Sequence, residues 1–150
     1  MAELARGAPI PLFDRLQSQD GSGAALMLSP EQLQISIGRE LARLLNSRSR
    51  LTLDAFALSA GTTLDYGVPD FSALSAQSAP DMERLRAAVA HAIALFEPRL
   101  HEVTVRAATA PAGKAPQLVI SGMVRIAMKL RRVNFELQLD TAQGGLVRAG

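Results

Sequence analysis

The sequence predicts an α+β fold: two main helices packed on one face of a three- to four-stranded, mainly antiparallel sheet. Three observations carry this. Two stretches before residue 100 place apolar residues every three or four positions, the mark of amphipathic helices. After residue 100 the apolar period changes to two, the mark of half-buried strands. Pro98 stands at the changeover, where a proline ends a helix by removing a hydrogen bond and clashing with the preceding turn.

Residues 1–28 are expected to form a flexible N-terminal arm, and residues 29–150 a single domain. Pro9, Pro11 and Gly21-Ser22-Gly23 break any long helix in the arm. Between them, Leu12, Phe13 and Leu16 share one face of a short helical turn. Such an apolar island either folds back on its own domain or plugs into a partner.

The first main helix opens at Ser29-Pro30-Glu31-Gln32: an N-cap serine, a proline at the first helical position, an acid in the first turn and a capping-box glutamine. Leu33, Ile37, Leu41, Leu44 and Leu45 form its core stripe, and Asn46 and Ser47 end it. Leu51, Leu53, Phe56 and Leu58 fit a short strand or a helical turn, and Gly61-Thr62-Thr63 reads as a loop. Residues 65–71 read as an ordered loop pinned by Tyr66 and Phe71. The second helix runs from about Pro80 to Phe96, with Met82, Leu85, Val89, Ile93 and Phe96 inward and His91 at the flank.

Val103, Val105 and Ala107 form a short strand that leads into a loop at Pro111-Ala112-Gly113. Leu118 to Leu130 then alternates on even positions, and Val133 to Leu139 on odd ones, with a tight hairpin expected at Arg131-Arg132. Gly144-Gly145 turns the chain again, leaving Leu146 and Val147 as a short edge strand.

Composition narrows the function. Hydrophobic residues make up 48% of the chain, enough for a packed core. There is no cysteine, which excludes disulfides and thiolate metal sites and suits a reducing compartment. Residues 1–16 hold no apolar run of signal-peptide length, and no apolar stretch reaches spanning length, so a cytoplasmic protein without membrane insertion is expected. A net charge of +2 lacks the positive field of a nucleic-acid binder. Lys129, Arg131 and Arg132, without interleaved aromatics, read as a solvated turn.

Catalytic chemistry finds little purchase. The two histidines, His91 and His101, lack metal-ligand spacing, no nucleophile motif accompanies them, and no glycine-rich phosphate loop opens a helix. No cofactor and no metal is therefore expected. Paired carboxylates are the remaining enzymatic route, with Glu97 set against Asp70 or Glu102. A cation at Arg99, two residues on, favours the ionised carboxylate, the opposite of what a general acid requires.

Glu97-Pro98-Arg99 is the sharpest local feature. Proline pushes the residue before it toward extended geometry, so Glu97 and Arg99 are expected to be held outward at a rigid corner. The corner is either a structural joint with a local ion pair or a docking handle whose guanidinium pairs with a partner.

These residues together resemble the TssE family of type VI secretion baseplate subunits, a branch of the phage baseplate wedge proteins historically labelled lysozyme-like. The resemblance runs through Leu12-Phe13-Asp14-Arg15-Leu16, Ser36-Ile37, Glu40-Leu41, Arg43 to Arg48, Asp65 to Phe71, Ile93, Phe96 to Leu100 and Leu137 to Asp140. The arm motif favours the secretion branch over the phage one. Residues 50–64 depart from the family pattern, and the hairpin at Arg131-Arg132 is shorter than usual.

The resemblance implies a scaffold without catalytic activity that joins TssF and TssG in the wedge, with TssK nearby, on the cytoplasmic side at the inner face of the cell envelope. It implies that Glu97, Pro98 and Arg99 contact the wedge's helical core bundle, and it makes Leu12, Phe13 and Leu16 partner-binding residues. It also implies that a sheet edge seeds sheath assembly from TssB and TssC by accepting a strand. The alternative is a peptidoglycan-cleaving hydrolase, as the old label suggests.

Overall fold

A computed structural model describes residues 8–9, 27–108, 117–126, 128–140 and 145–149, with side chains for 28–108, 117–126 and 128–137. Strand β1 (Ala8–Pro9) pairs antiparallel with β2 (Met27–Leu28) just ahead of the first helix. The expected turn around Leu12, Phe13 and Leu16 and the loop at 111–113 lie outside the described residues.

Helix α1 (Pro30–Asn46) starts as its sequence dictates. The Ser29 hydroxyl accepts from the Gln32 N–H at 3.2 Å, and the Gln32 side chain accepts from the Ser29 N–H at 2.9 Å. Two N–H groups that the helix leaves orphaned are thereby satisfied. Leu33, Ile37, Leu41, Leu44 and Leu45 are all buried. Residues 53–57 form a short helix, α2 (Leu53–Ala57), capped by Thr52 and anchored by buried Phe56. Of the two readings open in the sequence, the helical one holds. Helix α3 (Ala79–Phe96) follows, buried through Leu85, Val89 and Ile93.

The segment between α1 and α3 is tied to the end of α1. Ser49 N–H donates to Val68 O and Val68 N–H to Ser47 O, each at 3.0 Å. The Arg48 guanidinium lies 4.7 Å from the Phe71 ring centroid, within cation–π range. Gly67 makes this approach possible: its φ is +116°, and a Cβ there would stand 2.6 Å from the Ser47 carbonyl oxygen. Tyr66 packs edge-on to Phe96 at 5.3 Å, and Phe71 is buried, so both expected aromatics pin the loop. A 3-10 turn (Thr63–Asp65) occupies part of the expected loop, closed by Asp65, which accepts from the Thr62 hydroxyl at 2.7 Å.

The sheet is four-stranded and antiparallel, in the order β3 (Leu100–Ala108), β4 (Gln117–Ile126), β5 (Lys129–Asp140), β6 (Gly145–Ala149). Leu118, Ile120 and Val124 of β4 and Val133, Phe135 and Leu137 of β5 meet the helices in one core. Gly38 of α1 rests on the Phe135 ring. Strand β3 begins earlier than its alternation predicts, at Leu100, and its ladder shifts between His101 and Thr104, where Glu102 takes a positive φ of 50°.

One expectation is corrected. The chain reverses between Ile126 and Lys129, which pair with each other, while Arg131 and Arg132 are strand residues opposite Val124 and Met123. The even-position alternation runs on through Met128 and Leu130 in the sequence, yet both side chains are exposed. Burial of the odd-numbered Val133, Phe135 and Leu137 sets the register instead.

Candidate functional site: the corner between helix and sheet

Helix α3 ends where proline requires. Glu97 N–H completes the last turn by donating to Ile93 O at 2.9 Å, and Leu100 N–H donates to Glu97 O at 3.1 Å. The result is a four-residue turn, Glu97 to Leu100, with proline in its second position, where its fixed φ fits. Leu100 then enters β3 opposite Val124.

The turn folds its two charged side chains onto each other. Arg99 Nε donates to Glu97 Oε1 and Nη2 to Oε2, both at 2.7 Å, and the Arg99 backbone N–H adds a contact to Oε1 at 3.3 Å. This is the fork-on-carboxylate geometry that makes arginine pairs strong and directional. Nη1 donates to the Ser36 hydroxyl of α1 at 3.1 Å, spanning 63 positions of sequence. One guanidinium thus links the end of α3 to the middle of α1.

Burial divides the three motif residues. Glu97 is 3% exposed, Pro98 is exposed, and the Arg99 side chain is 25% exposed. The expectation that Glu97 points outward is therefore corrected. Three hydrogen bonds from Arg99 compensate its carboxylate for leaving water, and the turn carries it under the guanidinium. What reaches the surface is Pro98 and part of Arg99.

Ser36 joins the corner as a partner of Arg99, a contact not expected from the sequence. A signal existed: it sits on the apolar stripe of α1, three positions after Leu33 and one before Ile37, and a small polar side chain there calls for a buried hydrogen-bond partner. Leu12, Phe13 and Leu16 fall outside the described residues, so their place relative to the corner is not described.

The remaining candidates stay apart from the corner. His91 shares a 3.0 Å hydrogen bond with the Ser59 carbonyl and meets the Phe56 ring edge-on at 5.3 Å, which makes it a joint between α3 and the segment after α2. His101 and Glu102 are exposed on β3. Asp70 is exposed and accepts from Ser72 N–H at 2.9 Å. Hydrogen bonds from Ser72, the backbone one foremost, hold the Asp70 carboxyl below its ordinary pKa, the reverse of what a general acid needs. Among the described residues no group of three or more His, Cys, Asp or Glu is placed to hold a metal ion, and no helix is long and apolar enough to cross a membrane.

The most built polar feature of this small α+β domain is the ion pair that locks its corner. Comparison with known families supplies the class, a structural protein of a phage-like baseplate. Residues 31–134, more than half of the chain, match the family model of baseplate wedge protein gp25, and the chain belongs to that family. No curated protein and no solved structure matches it significantly.

Proposed function

We propose that this chain is a TssE-type baseplate subunit of a type VI secretion system, a scaffold without catalytic activity. It docks on the TssF–TssG wedge bundle through the corner at Pro98 and Arg99, with TssK nearby, at the inner face of the envelope. Membership of the baseplate wedge family supports a structural role in a phage-like baseplate. The arm sequence Leu12 to Leu16 supports the secretion branch, with Leu12, Phe13 and Leu16 as a second contact to the wedge. Seeding of the TssB–TssC sheath belongs to this reading and assigns the function to a strand edge of the sheet.

One observation carries the docking assignment: Arg99 is fixed on three sides by Glu97 and Ser36 and still meets solvent. A preorganised guanidinium loses little side-chain freedom when a partner carboxylate or carbonyl meets it. In this arrangement Glu97 and Ser36 are positioning residues, and Arg99 and Pro98 make the contact. Occupation of both Glu97 oxygens by Arg99 speaks against a hydrolase, because a glycosidase acid must hand a proton to its substrate from an accessible carboxyl.

The test is co-purification with TssF and TssG. The double variant Glu97→Gln/Arg99→Gln leaves no unpaired buried charge, so it should stay folded by circular dichroism and fail to co-purify. If it binds as the unaltered chain does, the docking assignment is wrong. Clearing of a peptidoglycan suspension, abolished by Glu97→Gln, would establish the hydrolase instead.

A further inference from the structure

Charge is divided unevenly along this chain. Between Glu102 and Glu136 there are six basic residues and no acidic one, which leaves ten basic and fourteen acidic residues elsewhere, a net of −4. Four of the six basic residues, Arg125, Lys129, Arg131 and Arg132, flank the β4–β5 turn, and all four are exposed. Among the described residues no carboxylate stands within ion-pair distance of any of them, though Glu31 of α1 acts on Arg131 at longer range. Two apolar side chains stand among them: Met128 is 98% exposed and Leu130 51%. Beside the turn lies a recess of about 230 Å³, lined by Ile126, Val133, Arg131 and Arg132 on the sheet side and by Glu31 and Gln34 of α1.

A fully exposed methionine beside a half-exposed leucine, set among four cations, gives this tip an apolar spot as well as charge. We propose that this hairpin tip is a second docking surface, separate from the Glu97–Arg99 corner, and that its occupant is an acidic segment of a protein partner bearing apolar side chains. Carboxylates of that segment meet Arg131, Arg132 and Lys129. Its apolar side chains cover Met128 and Leu130 or enter the recess, and methionine, unbranched and polarisable, adapts to whatever shape arrives. Charge complementarity selects an acidic partner and steers its approach. A single strand of nucleic acid would need aromatic platforms for its bases, and the tip has none. A bilayer would need a longer apolar face than two side chains provide.

Fluorescence anisotropy on the full chain tests this, with a short fluorescein-labelled peptide of Glu, Asp and Leu as the probe. The peptide should bind, and binding should weaken roughly tenfold in Arg131→Glu/Arg132→Glu and several-fold in Met128→Ser. The same peptide with serine replacing leucine should bind several-fold more weakly. Lys129→Glu, at the turn itself, repeats the charge test should the double variant fold poorly by circular dichroism. Glu97→Gln/Arg99→Gln should bind the peptide as the unaltered chain does, which separates this surface from the corner. Equal binding of the leucine and serine peptides, indifference to the charge reversals, or tighter binding of single-stranded DNA or of phosphatidylglycerol vesicles would each overturn the proposal.

Discussion

Arg99 holds both carboxylate oxygens of Glu97 from two residues further along the chain, with only Pro98 between them. The two partners are unequally buried, Glu97 almost fully and Arg99 by three quarters. Their removal should therefore be unequally costly. Arg99→Ala strands a buried anion and should destabilise the chain by about 3–5 kcal/mol. Glu97→Ala leaves a guanidinium that can turn toward water and should cost about 1–3 kcal/mol. Urea unfolding of both variants reads this order, and the reverse order would mean that Glu97 is not the buried member in solution.

Ser36→Ala should cost about 1.5–3 kcal/mol, the range for losing a hydrogen bond to a charged donor. In a double-mutant cycle with Arg99→Lys the two changes should be non-additive, because both act on the same guanidinium. Additive free energies would separate Ser36 from the corner.

Gly67→Ala should destabilise by about 3 kcal/mol or more. Its backbone lies where side chains rarely go, and the added methyl would press on Ser47 and Ser49 backbone atoms that cannot swing aside. A thermal melt close to that of the unaltered chain would show that the 47–71 segment is not held against α1 as described.

Acid should loosen the turn at Thr62–Asp65. The Thr62 hydroxyl, then its N–H and the Arg50 charge, hold the Asp65 carboxyl below its ordinary pKa. A pKa lowered by folding gives stability that is complete above the unfolded carboxylate value and lost as pH falls through the folded one. Thr62→Val removes the largest of these causes. Its deficit in urea midpoint should be full at neutral pH and shrink as the solution becomes acidic through the carboxylate range. A deficit independent of pH would assign the effect to packing.

Much of this was legible in the sequence, for identifiable reasons. Ser29-Pro30-Glu31-Gln32 encodes its cap within four residues, so the start of α1 could be read directly. The stripes of α1 and α3 and the even positions Leu118 to Val124 repeat often enough to override noise. The β4–β5 turn was not legible, because Met128 and Leu130 continue the alternation and no glycine, proline or asparagine marks the reversal. The burial of Glu97 was hidden for another reason. A local ion pair with Arg99 was one of the two readings open at the corner, but the burial also depends on Ser36 arriving from a different helix, which leaves no local pattern. Family membership was legible from motif order and rests on the match over residues 31–134.

Leu100, the residue that leaves the corner, lies directly over Gly122 in the centre of β4, so close that a Cβ on Gly122 would stand 2.7 Å from Leu100 Cδ1. The bare glycine acts as a socket. A pull on the Arg99 side chain would consequently reach the sheet as a push of solid matter against solid matter, with no slack joint along the way. Such a piece transmits load as a rigid lever does, so its corner and its strands shift together.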